Sequence, residues 1–177
     1  MPQNRRPPIP IPIQVEVFFR DRWLCHLCRR PIVLHLAMKY AALVVHADFP
    51  RLKAAYWHPN WRRDAAPLLD ELGASIDHVK AFSRGGAHDA SNFAAVCARC
   101  NARKSALTAG EFLASSKPWR VHGAHGEPSH WDGMSSLFVA LARRYATSLT
   151  ATERSWLAAL EPYVQPASEA SGGNRTV

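Results

Sequence analysis

Asp77-His78, Asn92, Asn101 and Lys104 follow one another at intervals of fifteen (counted from Asp77), nine and three positions. Together their side chains could carry out phosphodiester hydrolysis. Aspartate supplies a hard oxygen suited to Mg²⁺ or Mn²⁺. Histidine, with an ordinary pKa of about 6.5, takes a proton from water near neutrality. Asn101 offers a second oxygen to an ion, and Lys104 follows one helical turn later, where with its neighbour Arg103 it is a candidate phosphate contact. A metal, a base and a phosphate clamp are what the hydrolysis needs. Each residue also has an ordinary reading. Asp77 reads as a strand-end carboxylate, Asn92 as a turn cap, Asn101 as a hydrogen-bonding residue at a helix start and Lys104 as a solvated surface cation.

The four cysteines form two C-x-x-C pairs, Cys25-His26-Leu27-Cys28 and Cys97-Ala98-Arg99-Cys100, with 68 residues between them. Two thiolates three positions apart bind one tetrahedral ion across a tight turn, and a second pair completes the set. The alternatives are two disulfides, a redox pair or four unrelated thiols. Disulfides fit badly with a chain that opens without an apolar leader, and a redox motif needs only one pair. The spacing therefore points to a structural zinc held by Cys25, Cys28, Cys97 and Cys100.

The elements that must position these groups are legible in outline. Residues 1–13 carry five prolines and read as a basic, polyproline-like arm. Val15, Val17, Phe18, Phe19 and Trp23 lead into the first knuckle as a short helix or strand. Residues 33–47 read as a helix, and a second short one over 65–72 is expected to be capped by Asp64 and stopped at Gly73. Next come a β-like run at Ser75–Val79, a loop rich in Gly and Asp, a second apolar run at Phe93–Val96 and a helix over Ala98–Leu107. Adjacent strand residues point to opposite faces, so Asp77 and His78 share a cleft only at a strand end or bulge. Residues 117–133 read as loop. Helical spacing of Met134, Leu137, Phe138, Leu141 and Tyr145, and Thr150-Ala151-Thr152-Glu153 with capping-box spacing, give a C-terminal helical hairpin. From Pro166 the tail is Ser/Gly/Ala-rich and reads as disordered. The fold class is α+β. A nuclease unit is expected over 14–115, with an insertion at 29–75 and an extension at 116–165.

The chain of 177 residues carries a net charge of +8, all of it in residues 1–63. That asymmetry calls for an anionic partner, nucleic acid before an acidic membrane surface. The most hydrophobic run, Ile32 to Phe49, is broken by His35, Lys39 and His46. It makes a poor membrane span, and a cytoplasmic protein is expected.

The segments Arg20-Asp21-Arg22-Trp23-Leu24-Cys25-His26-Leu27-Cys28, Ile76-Asp77-His78-Val79 and Asn101-Ala102-Arg103-Lys104 resemble the HNH endonuclease family in its zinc-knuckle version. The resemblance covers the knuckles and residues 76–105 and says little about 29–75 or the C-terminal third. It implies a ββα-metal fold, with Asp77 and Asn101 as ligands of a catalytic Mg²⁺ or Mn²⁺. His78 would be the general base, Asn92 would orient it by hydrogen-bonding across the loop, and the cysteines would hold a separate structural Zn²⁺. DNA is the implied substrate, with RNA or single strands as the alternative. A reading from a different class is a catalytically silent zinc-knuckle module that binds nucleic acid. His26, His35, His46, His58, His122, His125 and His130 read as structural or surface histidines, and His88 as a loop-ordering residue.

Overall fold

The computed structural model describes residues 7–51, 57–59, 65–115 and 130–164. Helix α1 (Ile11–Arg20) opens with Pro10 as an extended cap and a proline in its first turn, a place where the missing N–H costs nothing. The helix therefore takes up residues 11–13 of the expected polyproline arm. Its β-branched residues would suit a strand equally well. Burial of Val15, Val17 and Phe18 against the rest of the core decides for the helix.

After α1 the chain reverses through Arg22 and Trp23, both with positive φ. Such residues cost roughly 1–2 kcal/mol each, which the burial of Trp23 offsets: its ring is 1% exposed and stacks on Phe18 at 4.7 Å. Against that ring lies Gly133, at φ +68°, where an added Cβ would fall 2.0 Å from Trp23 Cε3. Gly133→Ala is expected to destabilise the protein by on the order of 3 kcal/mol, from the clash and the left-handed backbone together. Urea denaturation checks it, and an unchanged midpoint would refute the packing argument.

Strands β1 (Ala74–His78) and β2 (Phe93–Cys97) pair antiparallel, with Asp77 opposite Ala94 and His78 opposite Phe93. The other edge of β2 is closed by the segment leading into the first knuckle. The Ala95 N–H donates to Asp21 Oδ2 at 2.7 Å, Ala95 O accepts from the His26 N–H at 2.9 Å, and the Arg20 guanidinium donates to Phe93 O at 2.6 Å. A two-stranded sheet alone is marginal in water, and this third partner leaves all five residues of β2 buried.

The remaining helices are α2 (His35–Asp48), α3 (Pro67–Leu72), α4 (Ala98–Lys104), α5 (Ala109–Ser115), α6 (Ser135–Arg144) and α7 (Ala151–Leu160). Helix α3 begins at Pro67, with Ala66 before it and no side-chain cap; the expected cap Asp64 lies outside the described residues. Helix α2 packs on α6, α1 on α7, and α6 on α7. One apolar core consequently runs from Val15 through Phe93 and Val96 to Trp156 and Leu160. The capping box at Thr150 and Glu153 is formed. Buried Glu153 also accepts from Lys39 of α2 at 2.5 Å, which holds its carboxyl at about 2 against the opposing effect of burial. Also outside the described residues are Arg5 and Arg6 of the arm, Arg62 and Arg63, most of the 117–133 loop and the tail from Pro166. Among the described residues no helix is long and apolar enough to cross a membrane.

Candidate active site and metal centre

The four cysteine sulfurs lie within 4.8 Å of one another, and none is in a disulfide. Zn–S bonds of about 2.3 Å put tetrahedral sulfurs about 3.8 Å apart, and Cys28 Sγ lies 3.9 Å from Cys97 Sγ. The set therefore fits one tetrahedral ion. Contact with Cys100 is the leading cause that lowers the Cys28 thiol pKa and brings Cys97 to about 7. The Cys100 thiol is itself pushed up, first by Cys25. Four sulfurs at this separation cannot all be thiolates without a cation among them. The first pair sits in a loop closed by Arg29, again at positive φ, with its N–H donating to Cys25 O at 2.8 Å. The second pair joins β2 to α4, where Cys97 Sγ accepts the Cys100 N–H as the helix cap. Glu71 of α3 braces both knuckles, accepting from Arg30 at 3.2 Å and Arg99 at 2.6 Å.

A cavity of about 390 Å³ is lined by Asp77, His78, Phe82, Ser83 and Asn101, among others. Asp77 and His78 reach it together because β1 ends at His78 and the chain turns away, as the strand-end expectation requires. Both are nearly buried, at 4% and 3% exposed. Asp77 Oδ1 accepts from Lys104 Nζ at 3.0 Å, and Oδ2 lies 2.9 Å from His26 Nε2. Each carboxylate oxygen keeps a further lone pair. Asn101 of α4 donates Nδ2 to Ser75 Oγ at 2.8 Å, which leaves Oδ1 as the acceptor end of the amide.

The loop between the strands is held by one side chain. Asn92 accepts the Lys80 N–H at 2.9 Å and donates to Lys80 O at 2.9 Å and Ala87 O at 2.8 Å. Gly86 makes room for this clamp: a Cβ there would fall 1.9 Å from Lys80 O and 2.8 Å from Asn92 Nδ2. Asn92 thus fixes the backbone of the loop that follows His78. The amide's three hydrogen bonds all go to the loop backbone, and none goes to the imidazole. The His78 ring instead meets His88, with Nε2 and Nδ1 3.1 Å apart.

Lys104 also departs from expectation. It is fully buried, with Nζ on Asp77 Oδ1 and on His78 O, each at 3.0 Å. The expected solvated surface cation is thus a buried ammonium that faces Asp77 and the end of β1. Its neighbour Arg103 remains exposed on α4. Lys104→Met is expected to cost about 3–5 kcal/mol, since it strands a buried carboxylate beside a half-buried histidine. Denaturant titration measures this, and a loss near zero would mean that Asp77 does not need the charge.

His26, read from the sequence as a structural or surface histidine, meets Asp77, and His88, read as a loop-ordering residue, meets His78. His26 lies between Cys25 and Cys28, and its N–H is tied to β2, which turns a knuckle residue onto Asp77. Its position inside the C-x-x-C pair was the available signal. A second cavity, of about 450 Å³, is lined by Arg20, Arg22, His26, Arg29, Val79 and Phe93.

Residues 67–107 match the family model described as HNH endonuclease. The match spans α3, both strands, the loop and α4, and therefore Asp77, His78, Asn92, Asn101 and the second cysteine pair. No curated protein matches the chain, and no solved structure does.

Proposed function

We propose that the HNH endonuclease segment at residues 67–107 makes this chain a divalent-metal-dependent nuclease of the ββα-metal kind, with DNA as substrate. The observation that carries the reading is that Asp77, His78 and Asn101 line one cavity. A carboxylate oxygen, an amide oxygen and otherwise water are a donor set that suits Mg²⁺ or Mn²⁺, ions that retain several waters. Bound to Asp77 and Asn101, such an ion would supply charge neutralisation on the scissile phosphate and its leaving oxygen. The protein's own part is positional and acid–base. His78 takes the proton of the attacking water. Lys104 and His26 hold the Asp77 carboxylate in one orientation by engaging both its oxygens. Asn92 and Gly86 keep the loop closed behind His78. The structural Zn²⁺ at the four cysteines carries no chemistry in this scheme, because its coordination is filled.

Arg103 on α4 and the arginines around the second cavity are suited to the phosphates flanking the cleaved bond. The basic front of the chain would add long-range attraction. The test is incubation of zinc-loaded protein with supercoiled plasmid, single-stranded DNA and RNA, with Mg²⁺ or Mn²⁺ and with chelator. Nicking that needs the added ion and falls with Asp77→Asn is the expected result. Binding to all three substrates without cleavage of any would replace the hydrolase with a nucleic-acid-binding module.

A further inference from the structure

His78 is the base of the hydrolytic scheme, but its contact with His88 has no part in that scheme. His78 Nε2 lies 3.1 Å from His88 Nδ1, and the rings are nearly parallel with centroids 5.2 Å apart. Both rings sit edge-on to Phe93, at 4.9 and 5.2 Å, and Phe82 flanks them at 6.0 and 5.7 Å. This apolar frame holds the two imidazoles in fixed relative positions. Asp77 and Lys104 bond to each other beneath the strand, and Asp89 caps the turn after His88 by accepting from Ser91. The other ring nitrogen of His88, Nε2, is buried and has no hydrogen-bond partner. A buried unpaired polar atom costs roughly 1–3 kcal/mol, a burden that calls for an explanation.

We infer that His88 is a positioning residue for His78: its Nδ1 accepts the His78 Nε2–H and thereby fixes the tautomer that leaves Nδ1 of His78 to take the proton from water. The inference rests on the hydrolytic reading above. The chemistry is that of any base whose far nitrogen must carry the hydrogen so that the near one keeps its lone pair. A neutral acceptor suffices, and it also favours the imidazolium that His78 becomes, since Nε2–H keeps a partner throughout. With Nδ1 of His88 accepting, its hydrogen must sit on Nε2, which is the atom left unpaired. The unpaired donor is thus the cost of holding His88 in its accepting form. The Asn92–Gly86 clamp sets the loop that carries His88, linking those residues to the base.

Two variants separate this role from simple packing. His88→Phe keeps the apolar frame and removes the acceptor, whereas His88→Asn can return an acceptor oxygen at the place of Nδ1. Steady-state cleavage with Mg²⁺ is expected to show kcat down on the order of 10- to 100-fold in His88→Phe. KM should be little changed, and His88→Asn should regain most of the loss. Independently of activity, long-range proton–nitrogen correlation spectra at about pH 8, well above the ordinary histidine range, report the His78 tautomer. The His78 signal is identified by its absence in His78→Asn. One tautomer hydrogenated at Nε2 is expected in wild type and His88→Asn, and a mixture in His88→Phe. Unchanged kcat in His88→Phe, or the same single tautomer there, would overturn the inference. Protein inactive with every ion, yet with a His78 tautomer that depends on His88, would remove the hydrolytic reading and leave the clamp standing.

Discussion

His78→Ala is expected to reduce metal-dependent cleavage by roughly 10²–10⁴-fold, the usual contribution of a positioned general base. In the proposed scheme His78 is the base, and Asp77, the other titratable side chain lining the cavity, is engaged by Lys104 and His26. The imidazole is also 3% exposed and packed against Phe93, so its removal leaves a void. Part of any loss could then come from misfolding. His78→Asn, which fills more of the space, and the zinc content and melting temperature of both variants separate the two causes. Activity lost with zinc and Tm retained places the base at His78. Activity kept within a few-fold in a folded His78→Asn protein would move the base elsewhere and leave His78 a packing residue.

Emptying the four-cysteine site is expected to unfold the sheet and α4, whether by chelation or by Cys97→Ser. Structural zinc sites contribute apparent free energies of about 10–16 kcal/mol, as large as the whole stability of most domains. The cysteines here also stand at structural junctions. Cys97 is the last residue of β2 and caps α4, while Cys25 and Cys28 hold the loop that closes the free edge of β2. Losing the ion therefore releases both flanks of Asp77 at once: His26 on the first knuckle and Lys104 at the end of the helix that begins at the second. Far-UV circular dichroism and the dependence of Tm on zinc concentration measure this directly. Four thiols reacting with a thiol reagent only after chelation would count the ligands. Metal-free protein with an undiminished Tm would mean that the apolar core suffices without the cluster.

Much of the site was legible because its chemistry depends on residue type at short range. The two C-x-x-C pairs must each span a tight turn, and their four sulfurs meet as that spacing requires. Asp77 and His78 are neighbours whose shared access to a cavity follows from the strand ending there, a local event marked by the loop residues that follow. The helix at 33–47 appears as His35–Asp48, and the Thr150–Glu153 capping box is formed, since both signals lie within a few residues of sequence. Helix boundaries shifted where proline dictated the first turn, at Ile11 and Pro67.

The direction in which each polar side chain turns was decided by partners far away in the chain. Lys104 looks like any helix-surface lysine until β1 brings Asp77 within 3.0 Å across 27 positions. Arg30 belongs to a charge run in the sequence but is bound to Glu71, 41 positions away. His26 gains its role only because β2 draws the knuckle onto the sheet edge, and His88 only because Asn92 folds the loop back toward His78. Local spacing and residue type thus determined which atoms the chain has for binding metal and moving protons. Only the tertiary structure decided which of them face the cavity and which are spent holding the others in place. The physical reason is that a buried charge or amide must be matched by whatever partner the packing brings near, and that partner is set by the whole fold.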